Sequence, residues 1–170
     1  MKKLLVIVDM QNDFVSGSLK AEGGEEALRN AVALVEREKA QNTEIVFTKD
    51  LHDKDYLQTQ EGRRLPVPHC VKGTRGAEFA DGVNLSGTKV FEKDRFASVA
   101  LGEYARDGGY GEILLAGICT DICVVSNALL LKAFCSDAKI KVVSSASAGT
   151  TKENHLAAIK VMQSCQIDIE

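Results

Sequence analysis

KKLLVIVDM, residues 2–10, decides how the rest of the chain is read. Behind two lysines it is a continuous apolar run rich in Leu, Val and Ile, closed by Asp9. A run without polar alternation suits a strand buried on both faces, the habit of parallel sheets with helices on either side. TEIVFT (43–48), TKVFEK (88–93), EILLAGI (112–118), KIKVVSS (139–145) and QIDI (166–169) read as five further strands. Between them, EEALRNAVALVEREK (25–39) places Ala27, Leu28, Ala31, Val32, Leu34 and Val35 at helical spacing, behind Gly24 and a first turn of acids. Ser98–Arg106 and DICVVSNALLLKAF (121–134) also read as helices, and Thr150 with Glu153 fits a capping box before HLAAIKVMQSC (155–165). Strands alternating with helices predict an α/β fold with a mostly parallel sheet covered on both faces. There is no internal repeat and no linker, so residues 1–170 are expected to form one domain.

Composition sets limits on partners and compartment. Charged residues at 26% and apolar residues at 45% are those of a globular chain, not a disordered one. The net charge of −3, with basic residues scattered, points away from nucleic acid and from membrane surfaces. The apolar run LLVIV is too short for a membrane span or a signal core, and a cytoplasmic protein is expected. Five cysteines, an odd number without a framework spacing, read as thiols kept reduced.

Ligands of open parallel sheets bind beyond the carboxyl ends of the strands, where chain order reverses. Three polar residues fall at such ends. Asp9 closes the first strand, Lys93 closes the third, and Cys123 follows the fourth inside the next helix. Singly, each has an ordinary structural reading: a loop acid, a solvated lysine, a core cysteine. Together they bring a thiol, a carboxylate and an ammonium to one rim. A helix N-terminus, capped by Thr120 or Asp121, is expected to stabilise a Cys123 thiolate. Asp9 is placed to take the thiol proton and return it to a leaving group. Lys93 would keep that carboxylate charged and oriented. Cys119 lies just before the helix, where its main-chain N–H matters more than its sulfur. The C-x3-C spacing argues against a redox pair, and the lack of a second close pair argues against a four-cysteine zinc site.

DMQNDF (9–14), KDRF (93–96) and GICTDICV (117–124), in this order, resemble the motifs of the isochorismatase-like cysteine hydrolases, the superfamily that includes nicotinamidases. The resemblance spans nearly the whole chain. It implies a three-layer α/β/α sandwich with a six-stranded mostly parallel sheet, a triad of Asp9, Lys93 and Cys123, a cis peptide between Ile118 and Cys119, and an oxyanion hole from the N–H groups of Cys119 and Cys123. It also implies Phe14 and Gln11 as substrate-binding residues, a small amide as substrate, and a homo-oligomer. KDLHDKDYLQTQEGRRLPVPHCVKGT (49–74), inside a long polar stretch that is itself more often functional than idle, resembles the nicotinamidase metal segment. The implied ligands are Asp50, His52 and His69, with Glu61 or Asp53 as a fourth, for Zn, Mn or Fe. The alternative is that the two histidines line the pocket without a metal. His155 is expected to be a surface or packing residue. The second aromatic that nicotinamidases set against the pyridine ring, a Trp shortly before P-x-H-C, is missing: the chain has no Trp, and Pro66 stands there. The implied reaction is hydrolysis of a small amide to a carboxylate and ammonia through a thioester on Cys123. The rivals are a ureido or carbamoyl amide hydrolase, an isochorismatase-type enzyme, and a binding protein of the same fold.

Overall fold

The computed structural model describes residues 1–170. Six strands form one parallel sheet in the order β3-β2-β1-β4-β5-β6. They are β1 (Lys3–Val8), β2 (Glu44–Asp50), β3 (Lys89–Lys93), β4 (Glu112–Ile118), β5 (Lys139–Ala148) and β6 (Asp168–Ile169). The helices are α1 (Asn12–Val15), α2 (Gly24–Ala40), α3 (Gln60–Arg64), α4 (Val99–Gly108), α5 (Val125–Phe134) and α6 (Lys152–Ser164). All six expected strands and all four longer helices are present. The short α1 and α3 were not expected; their sequences carry no helical period of useful length. No helix is long and apolar enough to cross a membrane.

The apolar run at the N-terminus becomes the centre of the sheet. Alternate residues of β1 feed two cores. Leu5 and Ile7 pack under α2 against Ala27, Ala31, Leu34 and Val35. Leu4, Val6 and Val8 pack on the other face with Leu101 of α4, Ala128 and Leu131 of α5, and Met162 of α6. Each fully buried Leu, Val or Ile contributes about 1.5–3 kcal/mol, which is why the strand carries no polar residue after Lys3 at its edge.

Strand order runs outward from β1 on one side and from β4 on the other, so the chain reverses between β1 and β4. Residues leaving these two strands flank a natural crevice. Gly117 makes that junction possible. It pairs with Val8, has a φ of 138°, and a Cβ there would lie 2.1 Å from the Val8 carbonyl oxygen. Gly117→Ala is therefore expected to cost about 3 kcal/mol or more, read as a lowered denaturant midpoint; an unchanged midpoint would contradict the close approach.

Two local expectations need correction. The N-cap of α6 is Thr151, whose side chain accepts from the Asn154 N–H; Thr150 instead gives its hydroxyl to Asp121. The chain after β4 enters a π-helical turn (Thr120–Val124) before α5, with Cys119 at the cap position and no side-chain cap. Thr120 and Asp121, the expected caps, are held by groups near α6.

Candidate active site

Asp9 leaves β1 with a φ of 47°, a left-handed conformation that Asp tolerates better than most side chains. Its carboxylate is fully buried. Oδ1 accepts a 2.6 Å hydrogen bond from the Thr48 hydroxyl. Oδ2 lies 2.6 Å from the Lys93 ammonium, yet makes no contact of hydrogen-bonding direction. Burial pushes the Asp9 carboxyl above its ordinary range, against the pull of Lys93. The result is a more basic carboxylate than a surface Asp.

Lys93, at the end of β3, is the hub. Its ammonium reaches Asp9, Asp50 Oδ1 at 3.3 Å and Cys123 Sγ at 3.6 Å. Burial opposes its charge, but the negative partners prevail and hold its pKa above the usual lysine range. The three residues expected to converge thus meet around one ammonium.

Cys123 sits in the π-helical turn, and its carbonyl accepts from the Asn127 side chain at 2.8 Å. Its thiol is pushed well above the ordinary cysteine value, first by burial and then by Asp9, with only Lys93 opposing. The helix terminus was expected to help stabilise a thiolate; in the structure burial outweighs that help and favours the thiol. The Ile118–Cys119 peptide is cis. The Cys119 N–H donates to no acceptor in the protein, while its carbonyl accepts from Ile122 and Val124.

The other residues of DMQNDF explain how two loops are held in place. Gln11 does not line the cavity and is not placed to bind substrate. Its side-chain oxygen accepts from the Asp50 N–H at 2.7 Å, and its amide donates to the carbonyls of Asp50 and Ala77. Every polar group of Gln11 is occupied, and its effect is to fix Asp50. Asp13 accepts from the Cys70 N–H at 2.8 Å and so fixes the residue after His69.

Asp50 ends β2, and the chain beyond it pairs back on the later loop: the His52 N–H donates to the Cys70 carbonyl and the Lys72 N–H to the His52 carbonyl. This pairing joins the two histidines across a long stretch of sequence. Asp50, His52 and His69 are all buried, with ligand atoms within 4.8 Å of one another. Asp50 Oδ2 lies 3.0 Å from His52 Nε2 and 3.6 Å from His69 Nε2. His69 Nδ1 faces the Val67 carbonyl at 2.9 Å. That partner requires the proton on Nδ1 and leaves Nε2 as the ligating atom, the arrangement of metal-binding histidines. Glu61 Oε1 stands 3.7 Å from His69 Nε2 and 3.9 Å from His52 Nε2. Asp53 is exposed and paired with Lys72, so it is no candidate for the fourth ligand. Tyr56, unremarked in the sequence, is buried against both imidazoles and anchors its hydroxyl on the Leu65 carbonyl.

A cavity of about 360 Å³ opens beside these groups. Cys119 and Cys123 line it, as do Asp50, Glu61 and His69. Its apolar wall is Phe14, Leu19, Leu65, Phe96 and Ile122, and the exposed Ser18, Lys20 and Thr150 complete the lining. Phe14 is where it was expected, its ring 5.6 Å from that of His69. Leu65, not its neighbour Pro66, lines the cavity, so an aliphatic side chain contributes to the wall in the segment that lacks a Trp. Phe96 and Ile122 lie inside stretches already singled out, but nothing in their spacing showed which way they face. Leu19 carried no signal at all. His155 lies outside the metal cluster, half-buried.

These donors suit a divalent cation: one buried carboxylate, two imidazoles, and a second carboxylate within reach. Zn²⁺ loading is expected to weaken by about 100-fold in His52→Ala, by about 10–100-fold in Glu61→Gln, and not at all in Asp53→Asn. Metal content after dialysis, read by elemental analysis, checks all three.

Comparison with known proteins agrees with this geometry. The isochorismatase domain model matches residues 3–169. The nicotinamidase of Schizosaccharomyces pombe is 31% identical over 97% of this chain and 91% of its own. The nicotinamidase/pyrazinamidase of Mycobacterium tuberculosis is 29% identical over 98% of this chain and 97% of its own. Among solved structures, the pyrazinamidase of Pyrococcus horikoshii, described in complex with zinc, superposes with a TM-score of 0.88 at 26% identity, covering 100% of this chain and 99% of that one. With a match over all but a few terminal residues, the chain belongs to the isochorismatase family.

Proposed function

We propose that this protein is a cysteine amidohydrolase of the nicotinamidase type, a single catalytic domain over residues 1–170 that works in the cytoplasm on a small amide. The observation that carries the reading is the contact of Lys93 with both Asp9 and Cys123, the last of which lines the cavity. The names of the relatives supply the substrate class.

Asp9 removes the Cys123 proton, and the thiolate attacks the amide carbonyl carbon. Negative charge develops on the carbonyl oxygen, toward the N–H groups of Cys119 and Cys123. The carbon–nitrogen bond breaks, the electron pair leaves with nitrogen, and Asp9 returns its proton to release ammonia. Asp9 then takes a proton from water, whose oxygen attacks the thioester. The carbon–sulfur bond breaks, Asp9 returns that proton to the Cys123 sulfur, and the acid product loses its remaining proton to solvent and departs as the carboxylate. Lys93 stays charged throughout and keeps the Asp9 carboxylate in place as its proton comes and goes. Asp50, His52 and His69, with Glu61, would hold a divalent ion such as Zn²⁺, Mn²⁺ or Fe²⁺. Bound there, the ion supplies Lewis-acid polarisation to an oxygen or nitrogen donor at the edge of the cavity. The apolar wall excludes water from the carbonyl and favours a flat, uncharged substrate.

Ammonia release from nicotinamide and pyrazinamide by the purified protein tests this directly. Release above the no-enzyme rate from either supports the reading, and failure across a panel of small aromatic and aliphatic amides would overturn it.

A further inference from the structure

The turn that carries the nucleophile is held from outside by the start of α6. Thr120, fully buried between Cys119 and Asp121, has its hydroxyl 2.8 Å from His155 Nδ1. The other ring nitrogen, Nε2, lies 3.2 Å from the Ser144 hydroxyl. Asp121 beside it accepts from both the N–H and the hydroxyl of Thr150. Gly149 lets the two segments approach this closely: a Cβ there would lie 2.8 Å from the His155 main-chain nitrogen and 2.9 Å from Asp121 Oδ1. Burial holds the His155 imidazole below its ordinary pKa, against Asp121, so the ring is neutral near pH 7 and one nitrogen is free to accept.

These contacts fall on the residue after Cys119, whose N–H has no partner in the protein. A hydrogen-bond donor helps a reaction only when it is aimed where the oxyanion will form, and a displacement of about 1 Å can cost 10²-fold. We propose that His155 is a positioning residue: through the Thr120 hydroxyl it holds the Cys119 N–H in line with the developing oxyanion. The inference rests on the thioester reading of the site and adds to it a residue that touches neither substrate nor thiol.

The test compares wild type, His155→Ala, His155→Asn and Thr120→Val. With nicotinamide, His155→Ala is expected to lose about 10–100-fold in kcat with KM nearly unchanged. Asn places a polar atom where Nδ1 stood and should recover most of that loss. Thr120→Val should match His155→Ala, and the double variant should lose no more than either. Alkylation of Cys123 by iodoacetamide forms no oxyanion and should keep its wild-type rate in all of them. The Cys119 amide resonance, followed by NMR, should move in His155→Ala and return in His155→Asn, whatever the true substrate is. An unmoved resonance, an unchanged kcat, or an Asn variant no better than Ala would overturn the proposal. A parallel fall in alkylation and turnover would overturn it too, because the nucleophile itself would then be displaced. Wild type inactive on nicotinamide with a moved resonance would count against the substrate and not against His155.

Discussion

Cys123→Ala is expected to remove turnover, by about 10⁴-fold or more, while leaving the fold intact. The side chain is buried but small, and its loss opens little space beside Lys93. Stability is expected to change by no more than about 1–2 kcal/mol, whereas the reaction loses the atom that forms the thioester. Cys119→Ala is the companion experiment. Both sulfurs line the cavity, so position alone does not choose between them. Burial pushes the Cys119 thiol up to about 12, with Asp121 and Asp9 adding to it and no ammonium in contact. Cys123 has Lys93 at 3.6 Å. Cys119 is expected to act through its main chain, and its alanine variant should keep most of the activity. Steady-state kinetics of the two variants decide the matter, and an active Cys123→Ala with a dead Cys119→Ala would reverse the assignment.

Asp9→Asn is expected to lower kcat by about 10²–10⁴-fold. Asn cannot carry a proton from the thiol to the departing nitrogen. Iodoacetamide should report something different. Asp9 raises the Cys123 pKa and Lys93 lowers it. With the carboxylate gone the thiol loses its base while Lys93 still favours the thiolate, so alkylation should fall, but by less than amide hydrolysis, which also needs the proton returned to nitrogen. Parallel loss of both rates would mean that Asp9 only forms the thiolate and does not serve the leaving group. The substitution also breaks a buried ion pair, and a stability loss of about 3 kcal/mol is expected, moderated by the remaining contact of Lys93 with Asp50.

The sheet was legible because its information is local. KKLLVIVDM needs no partner to declare that both of its faces are buried, and the ends of such strands place Asp9 and Lys93 on one rim. The metal cluster was legible only through the resemblance of the 49–74 segment. Its convergence depends on the pairing of His52 with the Cys70 region, a contact without a periodic trace in the sequence. Three residues were misjudged for reasons of the same kind. Gln11 sits in the right motif, but its amide is spent on Asp50. The Cys123 thiol follows a helix terminus, but its pKa is set by how much protein surrounds it, which spacing does not reveal. Thr150 has the capping-box pattern with Glu153, yet Asp121 claims its hydroxyl, and the cap passes to Thr151. Leu19, Tyr56, Leu65, Phe96 and Ile122 take their roles from the direction each side chain faces, which is fixed only when the loops fold over the sheet.

The most direct test is an acid quench during turnover of nicotinamide, with wild type and Cys123→Ala side by side, followed by peptide mass spectrometry and an ammonia count. The thioester mechanism predicts the acyl group on the peptide containing Cys123 in the wild type alone, and ammonia release only from the protein that retains that thiol. Ammonia release that persists in Cys123→Ala, or an acyl group carried on any other residue, would contradict it.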